Sequence, residues 1–128
     1  MQFGVLTGKY NDGVPKGSRF DTNSDFFQNF IAKLQSAEGK ATIEKVKKLT
    51  NLAERKLDCK VATLAIAWTA LNPNLSTCIL GASSLEQLHE NLKALDVLPK
   101  LTPEIVNQIE KILDNKPDLG KYALRRRV

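Results

Sequence analysis

The stretch best equipped for chemistry is Gly81-Ala82-Ser83-Ser84, with Glu86 and Gln87 close behind. Two serines ahead of an apolar-periodic run can each cap a helix. Ser83 has Glu86 three residues on and Ser84 has Gln87, so either register forms a capping box. A helix that starts this way aims unpaired N–H groups and a partial positive charge outward. Gly81 adds no Cβ that would keep a ligand from the backbone. Together these are the parts of an anion site, most often one for phosphate. The same residues also describe an ordinary capped turn between a strand and a helix, which on the local pattern alone is the commoner outcome.

Other chemistry-bearing residues form weaker patterns. Lys9, Tyr10, Lys16, Ser18 and Arg19 lie in a glycine-punctuated stretch and offer either an anion-lining surface or a solvated one. His89 is the only histidine; its place in a helical pattern beside Leu88 favours a surface or boundary position over a catalytic base. One histidine and two distant cysteines, Cys59 and Cys78, have no zinc-ligand spacing. Neither GxGxxG nor GxxxxGK[ST] is written here, and no serine has a histidine partner for a triad. No catalytic and no metal-ligating residue is assigned.

The elements that must hold the turn follow from periodicity and punctuation. Thr77 to Leu80 suits a short buried strand. The helix behind the turn places Leu85, Leu88, Leu92 and Leu95 on one stripe, leaving Gln87, Glu90 and Asn91 off it. Upstream, Ile43, Val46, Leu49, Ala53 and Leu57 mark a helix over 41–57, broken by Asp58-Cys59-Lys60. A second helix runs from Val61 to Leu71 and ends at Asn72-Pro73-Asn74. Phe26, Phe27, Phe30 and Ile31 form an apolar cluster after Ser24 that reads as packing. Thr102-Pro103-Glu104 starts a last helix, with Ile105, Ile109, Ile112 and Leu113 as its buried stripe; Asn115-Lys116-Pro117 stops it. Residues 1–19 are loop-like, with room for a second strand near Phe3 to Leu6. Even two strands leave an α/β layer unfinished, so the expected fold class is α/β as part of a larger domain. A small all-helical protein, with Thr77–Leu80 as loop, is the rival reading.

At 128 residues the chain makes one domain at most. It is 42% hydrophobic and 26% charged, as a globular protein should be. No apolar run approaches the roughly 20 residues of a membrane span, and the first ten residues do not read as a secretory signal. The two cysteines fit a reduced, cytoplasmic setting. Of the net charge of +5, four come from Lys121, Arg125, Arg126 and Arg127. A basic tail over 119–128 therefore follows a nearly neutral domain over 1–118, and a nucleic-acid partner is not expected.

Three motifs in order carry a resemblance: Gly4-Val5-Leu6-Thr7-Gly8-Lys9-Tyr10, Leu64-Ala65-Ile66-Ala67-Trp68, and Ile79 through Asn91. They resemble the aldo-keto reductase superfamily, and within it the branch holding the β subunits of voltage-gated potassium channels. Val97-Leu98-Pro99-Lys100-Leu101 and Asn115-Lys116-Pro117 strengthen that branch. The resemblance implies the C-terminal portion of a (β/α)8 TIM barrel, about its last two strands with their helices, helix-rich as a fragment. Such a barrel typically needs about 250 residues and often holds phosphate in the loops after strands seven and eight. With that placement, phosphate binding becomes the favoured reading of the turn.

The resemblance also implies the cofactor NADP(H). By position, Ile79, Gly81 and Ser83 would approach the adenosine phosphate end, Gln87 would assist, and Glu90 and Asn91 would face the adenine. Lys9 and Arg19 match the cofactor-binding lysine and arginine of the loop after strand seven, where their charges would offset phosphate. Gly17 stands where the channel-associated members carry a tyrosine. The family's catalytic tetrad belongs to earlier strands and maps to no residue here. Two functions are implied: reduction of aldehydes and ketones by hydride transfer from NADPH, or a channel-docking β subunit that senses NADPH and self-associates.

Overall fold

The computed structural model describes residues 2–116. A 3-10 helix, Gln2–Thr7, comes first, followed by α1 (Arg19–Thr22), α2 (Ser24–Gln35), α3 (Ala37–Leu52) and a π-helical turn, Ala53–Leu57. Then come α4 (Val61–Ala70), α5 (Leu85–Leu92), α6 (Ala94–Val97), a 3-10 turn (Leu98–Lys100) and α7 (Pro103–Leu113).

Local chemistry sets the ends of these elements. Ser36 has an extended backbone, and its Oγ accepts from the Gly39 amide at 3.2 Å, which starts α3 four residues earlier than the apolar period suggests. Gly39 is buried where α3 meets α2. A Cβ there would stand 2.2 Å from the Lys33 carbonyl oxygen, so only glycine allows this approach. Asp58 ends the π-helical turn in the left-handed region (φ 51°), at the break expected from the sequence. Thr102 Oγ1 caps α7 by accepting from the Ile105 amide at 3.5 Å, with Pro103 at the first helical position. At the far end, Lys45 of α3 donates to the Leu113 carbonyl, placing a cation where the helix dipole favours one.

Two apolar clusters hold these helices. The larger joins Leu49, Leu52, Ala53 and Leu57 to Val61, Leu64, Ile66 and Ala67 of α4, and to Ala94, Val97, Leu101 and Ile109. The smaller centres on Phe20, which stacks on Tyr10 at 4.4 Å between centroids and meets Phe27 and Phe30. The aromatic cluster is thus packing, although Phe26 joins it only at its edge, against Phe27 at 4.9 Å, and is itself 84% exposed.

Both strand expectations are corrected. The segment near Phe3 to Leu6 is a 3-10 helix. Thr77 to Leu80 lies outside any helix or strand, with Ile79 and Leu80 exposed, so the buried strand expected there does not form. A strand is completed by a hydrogen-bonded neighbour, and among the described residues none lies beside this segment. The described residues are therefore helix and loop alone: the sheet of the expected α/β class does not form among them, as the rival all-helical reading had it. The stripe of Leu85, Leu88, Leu92 and Leu95 is exposed at all four positions. The basic tail lies outside the described residues.

Candidate functional site

Ser84 is the residue that caps α5. Its backbone is extended, and its Oγ accepts from the Gln87 amide at 3.3 Å, so the Ser84–Gln87 register is the one adopted. The Gln87 side chain reaches back one residue further than a capping box does. Its Oε1 accepts from both the Ser83 amide, at 3.0 Å, and the Ser83 hydroxyl, at 3.1 Å. The turn thus directs two donors at a single oxygen. Glu86 sits in the same first turn; the Ser84 hydroxyl, then its own backbone amide, hold its carboxyl below the ordinary range. One fully exposed carboxylate therefore already meets the positive end of α5.

Gly81 is open, with no atom within 4 Å of the place its Cβ would occupy. Its carbonyl accepts from Asn91 Nδ2 at 3.5 Å, and Asn91 itself is only 7% exposed. Glu90, one residue earlier, is tied to α4. Thr63 Oγ1 donates to Glu90 Oε1 at 3.0 Å, while Lys93 and Lys60 approach Oε2 at 3.1 and 3.4 Å. The Lys93 ammonium is the main cause that holds the Glu90 carboxyl below its usual range; Thr63 and Lys60 add to it and partial burial opposes it. Beside Glu90 opens a polar cleft of about 490 Å³, whose walls include Cys59, Lys60, Lys93, Asp96 and Lys100. Burial pushes the Cys59 thiol up, which keeps it protonated and weakly nucleophilic at neutral pH. Both cysteines are free.

Hydrogen bonds therefore bring Gly81, Ser83, Gln87 and Asn91 together around one turn, with Glu90 anchored beside it. Ile79 leads into the turn and lines an apolar groove of about 510 Å³ with Leu6, Leu64, Trp68 and Leu80. Lys9 and Arg19 are sequence neighbours of Tyr10 and Phe20 in the smaller cluster. Lys9 Nζ lies 4.9 Å from the Tyr10 ring centroid and Arg19 opens α1. Among the described residues, no hydrogen bond or ion pair joins either to the turn. Sequence reading passed over Thr63. A single hydroxyl among Val61, Leu64, Ile66 and Ala67, all buried, was the signal available for it.

Among the described residues, no three His, Cys, Asp or Glu side chains are grouped to hold a metal ion, and no helix is long and apolar enough to cross a membrane.

Residues 1–114 match the model of the Aldo/keto reductase family, and the chain belongs to that family. Its members generally use NAD(P)H. The chain is also 45% identical over 117 residues to a Schizosaccharomyces pombe protein described as "Putative voltage-gated potassium channel subunit beta". That alignment covers 91% of this chain and 33% of the relative, so the chain spans about a third of that relative's length.

Proposed function

We propose that this chain is the NADP(H)-binding portion of an aldo-keto reductase, the C-terminal part of a (β/α)8 barrel over 1–118 whose strands would pair only alongside the rest of the barrel, with a basic tail over 119–128. The observation that carries this reading is the pair of Ser83 donors converging on one oxygen beside an uncovered Gly81. Gln87 Oε1 takes both donors in this structure, and a phosphate oxygen would replace it there, at the helix N-terminus where an anion is favoured. With that exchange the residues fit the phosphate end of a dinucleotide. Gly81 and Ser83 would hold it, Gln87 orients the Ser83 donors, and Glu90 and Asn91 border the same turn; Ile79 flanks its entry. Lys9 and Arg19 are assigned to the cofactor by the family motif alone, and would supply charge. When bound, NADPH would supply the hydride that converts an aldehyde or ketone to an alcohol.

The test is NADPH affinity, read by fluorescence in the protein at its natural length. Arg19→Ala and Gln87→Ala should each weaken binding by about tenfold, the scale of one lost hydrogen bond to a charged group. Unchanged dissociation constants would remove both residues from the site. A second reading, a cytoplasmic β subunit docking on a potassium channel and associating with its own copies, is favoured by the description of the 45% identical relative. It uses the same turn and differs in what the cofactor serves, redox sensing by a docked subunit.

A further inference from the structure

Burying a polar side chain costs free energy unless it finds a partner, so such residues mark places where the fold needs a bond. Among the described residues, and apart from the Tyr10 phenol in the aromatic cluster, the buried polar side chains are Thr63, at 1% exposure, and Asn91, at 7%. Both serve one junction. Thr63 Oγ1 donates to the Glu90 carboxylate at 3.0 Å and lies 3.4 Å from the Glu90 carbonyl oxygen, 27 positions along the chain. Asn91, the next residue, reaches back to the Gly81 carbonyl at 3.5 Å. A continuous link therefore runs from the buried face of α4, through the last turn of α5, to the glycine at its head. Lys60 and Lys93 pin the second Glu90 oxygen from either side.

We infer that Thr63 is a positioning residue for the Gly81–Ser84 turn, setting its geometry for the adenosine-phosphate end of a dinucleotide through Glu90 and Asn91. The inference rests on the cofactor reading above for its ligand and on the hydrogen bonds alone for its mechanics. Rotation or sliding of α5 against α4 would break the Thr63–Glu90 bond and shift the turn that α5 and Asn91 hold. The Thr63 hydroxyl opposes that motion from a site that never touches the ligand.

The experiment compares Thr63→Val, which keeps the shape and removes the hydroxyl, with Thr63→Ser, which keeps the hydroxyl, in the protein at its natural length. The probes are 2′,5′-ADP affinity and amide exchange of the ligand-free protein. Thr63→Val should weaken 2′,5′-ADP by about tenfold and speed exchange over residues 81–87, with Thr63→Ser near the parent in both. Parent-like binding by Thr63→Val, or equal loss in both variants, would overturn the inference. So would an exchange increase spread over α3 and α4, which would mark general loosening. If the parent itself fails to bind, the cofactor reading falls. Exchange then decides the positioning role alone: faster at 81–87 in Thr63→Val supports it, unchanged refutes it.

Discussion

Glu90 shows how one residue can look the same in sequence and differ in consequence. It lies off the leucine stripe, and the family resemblance implies that it faces the adenine. In the fold, Thr63, Lys60 and Lys93 already occupy it. Each carboxylate oxygen has a second lone pair, so a role toward adenine survives, but from an anchored position. The spacing of Gln87, Glu90 and Asn91 was legible because helix geometry fixes it. Thr63 was not, because its partner lies on another element. The depressed Glu90 pKa has a consequence for stability. A carboxyl lowered by folding contributes stability that is complete above its ordinary value of 4.5 and is lost as pH falls through the lower folded value. The stability advantage over Glu90→Gln, measured by urea unfolding, should therefore be present at pH 7 and decline as pH falls below about 4.5. A difference that holds constant across that range would contradict the network.

At the scale of elements, the legible features were those made by neighbours in sequence. Ser84, Thr102 and the Asp58 break all use bonds spanning a few residues, and each formed where the sequence placed it. The strand at Thr77–Leu80 was not decided locally, since strand pairing depends on what lies alongside. The contact between α2 and α3 is a similar case. Gly39 lies outside the helix expected over 41–57, yet it is the contact point, with backbone oxygens of Lys33 and Leu34 at 2.2 and 2.4 Å from a would-be Cβ. Gly39→Ala gains about 1 kcal/mol in helix propensity. Forcing apart two packed backbones costs typically 1–3 kcal/mol or more, and backbone atoms cannot rotate away as a flexible side chain does. Thermal unfolding should show a net loss of stability. A higher melting temperature in Gly39→Ala would mean that the two helices do not meet this closely.

For the whole molecule, the informative surface is apolar. Leu85, Leu88, Leu92 and Leu95 share a face as their spacing requires, and they are 64%, 44%, 51% and 68% exposed. Periodicity says which side chains share a face; it does not say what covers them. Residues 1–114 belong to the Aldo/keto reductase family while the chain spans about a third of its Schizosaccharomyces pombe relative. We propose that the remaining barrel elements of a longer chain cover this stripe and the groove beside Ile79. The same elements would bring Lys9 and Arg19 toward the turn. The measurement that tests the account most directly is amide-exchange footprinting of the natural-length protein with and without NADPH. Slowed exchange at Gly81 through Gln87, together with slowing around Lys9 and Arg19, is the predicted result. Saturating NADPH with no protection at that turn would contradict it.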